Sequence, residues 1–135
     1  MTAGYSGTPL AKKLSLKGGQ RAWWDGMPAS VRREIAADRL DFELLANPQA
    51  PIDAAHIFVT KRADLKTKLH QLVPLLSPSG FIWVSWPKKA SKVETDISEG
   101  TIRDIALPMG LVDVKVCAVD ETWSGLKLMM RKEKR

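Results

Sequence analysis

Residues 55–86 read AHIFVTKRADLKTKLHQLVPLLSPSGFIWVSW. Ala55–Thr60 has an apolar centre, and Phe81–Trp86 carries apolar side chains at nearly every position. Runs of that kind suit interior strands of a parallel sheet, which are buried on both faces. Between them, a helix is predicted from about Ala63, with Leu65, Leu69, Leu72 and Leu76 at spacings of four, three and four. That spacing makes one apolar stripe. Pro74 should end or kink the helix, because it lacks an amide donor and crowds the preceding turn. Ser77-Pro78-Ser79-Gly80 is predicted as a turn. Strand, helix, strand in this order implies a parallel sheet with the helix packed on its face.

Working outward toward the N-terminus, Asn47–Asp53 is turn-rich and Phe42–Leu45 reads as a short strand. Pro28 opens a helix predicted to run to about Arg39, with Val31 and Ile35 on one face. Arg21–Trp24 reads as a strand closed by Asp25-Gly26. Thr8-Pro9 marks a helix start, and that helix is expected to reach Leu16 before Gly18-Gly19. Residues 1–7 read as a flexible lead.

Toward the C-terminus, a loop carries Lys88, Lys89 and Lys92. Asp96-Ile97-Ser98-Glu99 has the pattern of a capping box ahead of a helix with Ile97, Ile102, Ile105 and Ala106, which ends at Pro108-Met109-Gly110. Val112, Val114, Val116 and Ala118 alternate on one strand, and Leu126, Leu128 and Met130 on the next. The compact link Asp120–Gly125 makes those two an antiparallel hairpin. The fold class expected is α/β: a small, mostly parallel sheet with helices on both faces and a C-terminal antiparallel hairpin. This order resembles the Rossmann-like fold of S-adenosylmethionine-dependent methyltransferases in a trimmed form.

The 135 residues fit a single domain, residues 1–135, long enough to hold a core without disulfide or metal. No apolar run approaches the roughly 18 residues of a membrane-spanning helix, so no membrane partner is expected. No secretory signal is visible, and the single cysteine, Cys117, forms no internal disulfide, which points to a cytoplasmic location. The net charge is +6, and the positive charge gathers at the ends. Lys12, Lys13, Lys17 and Arg21 lie in a stretch without acids, and Lys127, Arg131, Lys132, Lys134 and Arg135 lie in the tail, of which 131–135 is the basic terminus. Such ends attract anions, nucleic acid included, or simply keep the chain solvated.

Ligands of open α/β sheets bind at the carboxyl ends of the parallel strands. That edge should gather Lys61, Arg62, Trp86, Lys88, Lys89, Asp120, Glu121, Trp123 and Ser124. Lysine and arginine pair with phosphate and tryptophan stacks on flat rings, so a pocket for an anionic or aromatic ligand is expected there. The competing reading has these cations solvating loop ends while Trp86 and Trp123 cap the core.

Several chemistries lack their residues. Methyltransferases of this fold place a glycine-rich loop after the first strand and an acid after the second. Here those places read Trp23-Trp24-Asp25-Gly26-Met27-Pro28 and Leu45-Ala46-Asn47, so no cofactor is expected in the usual mode. The phosphate loop and the nucleophile elbow are missing. Two histidines and one cysteine do not build an ordinary zinc site. His56, His70 and Cys117 read as structural, although Lys115 beside Cys117 could lower its thiol pKa.

The segments Gly4-Tyr5-Ser6-Gly7-Thr8-Pro9-Leu10-Ala11-Lys12-Lys13-Leu14, Trp86–Ser91 and Leu107–Leu126 resemble the bacterial domain of unknown function numbered three thousand and fifty-two. The resemblance implies a small stand-alone cytoplasmic protein and carries no activity with it. Three expectations follow for function. The first is a non-catalytic binding or regulatory domain that takes an anionic small molecule or a protein partner at the carboxyl edge. The second is a divergent S-adenosylmethionine-dependent methyltransferase, and the third a nucleic-acid binder using the basic termini. Either a monomer or a dimer is compatible with the pattern, since the terminal hairpin leaves a strand edge.

Overall fold

The computed structural model describes residues 7–135, so most of the lead predicted for residues 1–7 lies outside the described residues. Four helices, α1 (Leu10–Lys13), α2 (Ala29–Ala36), α3 (Arg62–Leu72) and α4 (Glu99–Ala106), surround a six-stranded sheet. Its strands are β1 (Arg21–Asp25), β2 (Glu43–Leu44), β3 (Ile52–Phe58), β4 (Leu76–Pro87), β5 (Leu111–Ala118) and β6 (Trp123–Met130), in the order β2-β1-β3-β4-β6-β5. β1 pairs in parallel with both β2 and β3, and β3 in parallel with β4. β6 is antiparallel to both β4 and β5. This is the α/β class read from the sequence.

The two faces of the sheet carry different helices. α3 and α4 bring Leu65, Leu69, Leu72, Ile102 and Ala106 onto Ile57, Ile82, Val84 and Leu126. α1 and α2 bring Leu10, Leu14, Val31 and Ile35 onto Ala54, Phe58, Phe81 and Trp83. Each fully buried aliphatic or aromatic side chain contributes roughly 1.5–3 kcal/mol. Among the described residues no helix is long and apolar enough to cross a membrane.

Several local expectations are corrected. α1 holds only Leu10–Lys13 and stops short of Leu16, because Ser15 takes φ 60° and turns the chain onto the sheet. α2 stops at Ala36 rather than Arg39, where φ is 53°. Leu76 is not on the helical stripe: a 3-10 turn, Val73–Leu75, follows α3 at Pro74, and Leu76 begins β4 opposite Ile52. The predicted turn Ser77–Gly80 is a bulge within β4, since Ile52 pairs with Leu76 and Ala54 with Phe81. A Cβ on Gly80 would lie 2.6 Å from the Ile52 carbonyl oxygen, so only glycine fits that approach. On β5, Val114 and Val116 are 47% and 54% exposed instead of forming a buried stripe. A register shift between Asp113 and Lys115 breaks the alternation on this edge strand.

The capping box also resolves differently. Ser98 caps α4, its Oγ accepting from the Thr101 amide at 3.2 Å. Asp96 turns away, and its Oδ1 accepts from the Arg62 amide at 2.7 Å, capping α3. The basic tail folds back as well: the Arg131 amide donates to the Gly110 carbonyl at 2.9 Å, and Lys132–Lys134 form a 3-10 turn.

Candidate functional site at the carboxyl edge of the sheet

β1, β3 and β4 run parallel, and β5 runs with β4 across the antiparallel β6. The loops after β1, β3, β4 and β5 therefore reach the same edge. Hydrogen bonds tie three of them together. The Val59 amide donates to the Ser85 carbonyl at 3.0 Å, the Lys88 amide to the Thr122 carbonyl at 2.8 Å, and the Asp96 amide to the Thr60 carbonyl at 3.2 Å. Thr95 Oγ1 adds a second bond to the Thr60 carbonyl at 2.6 Å. The segment after Lys92 is thus laid over the end of β3.

Of the residues expected at this edge, Lys61, Arg62, Lys89 and Glu121 are exposed and Lys88 is half-buried. The two tryptophans do not share a wall. In the β4–β6 ladder Trp86 faces Ser124 and Pro87 faces Trp123, so the two indoles project to opposite sides of the sheet. Trp86 packs in the aliphatic core under α3 and α4. Trp123 meets Phe58 edge-on on the other face, with centroids 5.1 Å apart and planes at 83°. Asp120 forms the β5–β6 turn: its Oδ1 accepts from the Thr122 and Trp123 amides, both at 2.8 Å. Ser124 is half-buried within the β6 ladder.

Two hollows flank the cations. One, of about 300 Å³, lies between α2 and the hairpin turn and is lined by Ser30, Val31, Glu34, Asp120, Glu121 and Thr122. The other, of about 490 Å³, is lined by Thr60, Lys61, Glu94, Thr95 and Asp96. Glu34 on α2 and the neighbours Glu94 and Thr95 ahead of α4 were not legible as edge residues, because only tertiary packing brings those two segments there. Arg62 also opens a larger groove of about 700 Å³ between α3 and α4, with Lys66, His70 and Asp104 along its rim.

The place where this fold class holds a nucleotide-type cofactor is built otherwise here. Gly26 takes φ +73°, and a Cβ there would meet the Phe58 carbonyl oxygen at 3.1 Å. The glycine therefore serves the packing of the β1–α2 loop on the end of β3. Asp25 is ion-paired to Lys68 of α3. Trp24 lies under the Arg32 guanidinium, 5.2 Å from the ring centroid, and against Phe42. Beyond β2 the chain reads Leu45-Ala46-Asn47, with no carboxylate for ribose hydroxyls. These residues do not fit S-adenosylmethionine in the usual mode of the fold.

His56 Nε2 lies 2.7 Å from Ser85 Oγ, and both side chains are buried between strands β3 and β4. Burial pushes the His56 pKa down to about 3, so the ring is neutral at physiological pH. It stacks on Phe58 at 4.5 Å. This is a core pair, away from the solvent a nucleophile would need. Burial likewise pushes the Cys117 thiol up, and Lys13 and Lys115 offset that only in part.

The sequence profile of a family described as a protein of unknown function (DUF3052) matches residues 11–132. The chain belongs to this family. No curated protein matches it in sequence. The fold of this DUF3052 member is similar to that of an S-adenosylmethionine-dependent methyltransferase from Aquifex aeolicus, with TM-score 0.61 and 17% identity over 90% of this chain and 88% of that one. It is also similar to a ribosomal protein L11 methylase from Lactobacillus delbrueckii subsp. bulgaricus, with TM-score 0.58 and 10% identity over 90% and 75% of the two chains. A methyltransferase from Pyrococcus furiosus gives TM-score 0.56 and 12% identity over 88% and 78%. At these identities the likeness establishes the fold.

Proposed function

We propose that this DUF3052 protein is a non-catalytic binding or regulatory domain, whose carboxyl sheet edge receives an anionic ligand at Lys61, Arg62, Lys88 and Lys89. One observation carries the reading. The β1–α2 loop is closed against its neighbours, with Gly26 packed on Phe58 and Asp25 held by Lys68, while Lys61, Arg62 and Lys89 are exposed and Lys88 is half-buried. An edge so arranged offers charge for recognition and no cradle for a methyl donor. Lys88 is half-buried and its amide is fixed by the Thr122 carbonyl, which makes it the natural first contact for a phosphate or carboxylate. The test is calorimetric titration with phosphorylated metabolites. Lys88→Ala/Lys89→Ala should weaken binding at least about tenfold, roughly 1.4 kcal/mol, without lowering the thermal midpoint. Unchanged affinity in that variant would remove the assignment.

A second reading, a divergent methyltransferase, has the fold likeness in its favour. It requires saturable binding of S-adenosylmethionine or its demethylated product, and the same calorimeter decides it.

A further inference from the structure

The two basic ends of the sequence, about a hundred residues apart, meet on one face of the sheet. Lys127 of β6 donates from Nζ to Ser15 Oγ, just beyond α1, at 3.0 Å, and its ammonium lies 4.6 Å from the centroid of the Phe81 ring. Directly opposite it in the β5–β6 ladder stands Lys115, whose Nζ donates to the Lys13 carbonyl at 3.0 Å. Lys13 in turn donates from Nζ to the Ala118 carbonyl at 2.9 Å. The Arg135 guanidinium reaches Met129 Sδ at 3.9 Å, one alternation along β6 from Lys127 on the same face.

Among the described residues, no ion pair involves Lys17, Lys115, Lys127 or Arg135. The ion pairs of the described residues join Arg21 to Glu43, Lys68 to Asp25, Arg103 to Glu99 and Asp113, and Arg131 to Glu133. The Lys127 pKa is lowered, first by burial and then by the charges of Lys115 and Lys17. Like charges placed directly opposite in a ladder destabilise the pair, so the fold carries repulsion here that an external polyanion would relieve.

We propose that this face, made by the end of α1 with β5 and β6, binds the phosphate backbone of a nucleic-acid duplex without reading its sequence. A duplex is favoured over a single strand because single strands are held by exposed rings that stack on bases. The rings beneath this patch, Phe81 and Trp83, are 5% and 1% exposed. A row of lysines with no flat surface between them suits phosphates alone.

The experiment is fluorescence anisotropy with labelled DNA and RNA duplexes of mixed sequence, about 20 base pairs long, at about 50 and about 200 mM KCl. If four phosphates are neutralised, this fourfold rise in salt lowers affinity roughly 150-fold. Lys115→Gln/Lys127→Gln should reduce the log–log salt slope by about 2 and weaken low-salt binding at least about tenfold. Lys17→Gln/Arg135→Gln, at two exposed positions, should do the same and answers any doubt about folding of the first variant. Lys66→Gln/Lys92→Gln removes equal charge elsewhere and should leave the slope unchanged. The proposal is overturned by absence of binding at low salt, or by binding without a salt slope. A slope that the patch variants share with the wild type overturns it too. So does binding to phosphatidylserine-containing vesicles but not to duplexes, which would make the face a membrane contact.

Discussion

The two faces of the sheet are built from different materials. Under α3 and α4 the packing is aliphatic, with Leu65, Leu69 and Leu72 fully buried against Ile57, Ile82 and Leu126. Under α1 and α2 the core mixes apolar and polar groups: the His56–Ser85 pair, Trp83 Nε1 donating to the Leu14 carbonyl at 2.7 Å, and the lysines around Ser15. Non-directional packing fixes only that a face is buried. Hydrogen bonds fix what lies where, because a buried donor or acceptor without its partner costs free energy. The aliphatic face therefore holds the fold together, and the mixed face positions charge.

This difference can be broken first by acid. His56 titrates near 3 in the folded chain and near 6.5 when unfolded, so the unfolded state takes up a proton that the core refuses. Its folded pKa is depressed, and the stability it protects is complete above about pH 6.5 and is lost as pH falls toward 3. The full loss is about 5 kcal/mol, on an order-of-magnitude scale. Urea midpoints should decline steeply between about pH 6 and pH 4, and His56→Gln should flatten that decline. An equally steep decline in the variant would place the acid sensitivity elsewhere.

The aliphatic face should answer to volume alone. Leu69→Ala removes a fully buried side chain and should cost about 3 kcal/mol in urea unfolding, independent of pH. It should leave ligand and duplex affinity intact once folded. A matching loss of binding would show that the face does more than hold the sheet. The smallest effect sharpens the site itself. Gly26→Ala forces a side chain into φ +73° against the Phe58 carbonyl and should cost about 1–2 kcal/mol. A neutral substitution there would mean the loop is open, contrary to the closed edge described above.

Much of the architecture was legible because periodicity reports burial. The Leu65, Leu69, Leu72 stripe and the FIWVSW run each carry one pattern over enough residues to outweigh local signals. Legibility stopped where tertiary contacts overrode local chemistry. Ser77-Pro78-Ser79-Gly80 has turn composition, yet pairing at Ile52 and Ala54 draws it into β4 as a bulge. Asp96 sits at a cap-like spacing for α4 but serves α3, which no local window reveals. At the edge, the cations were located by loop position alone: Lys61 and Lys88 lie between elements as expected, whereas Arg62 opens α3 and Lys89 begins a 3-10 turn. The pairing of Trp86 with Trp123 failed for a one-residue reason: neighbouring ladder positions point to opposite faces. The convergence of Lys17 with Lys115 and Lys127 depends on how α1 docks, and no linear reading shows it.

The most direct measurement is a thermal-shift comparison of the wild-type chain with Lys88→Ala/Lys89→Ala. The panel holds phosphorylated metabolites, S-adenosylmethionine and its demethylated product. A ligand at about 100 times its dissociation constant should add roughly 2.7 kcal/mol, a rise of several degrees in a chain of this size. The account predicts stabilisation by a phosphate-bearing compound, abolished in the double variant. Stabilisation by S-adenosylmethionine alone, undiminished in that variant, would contradict it and make the edge a cofactor site after all.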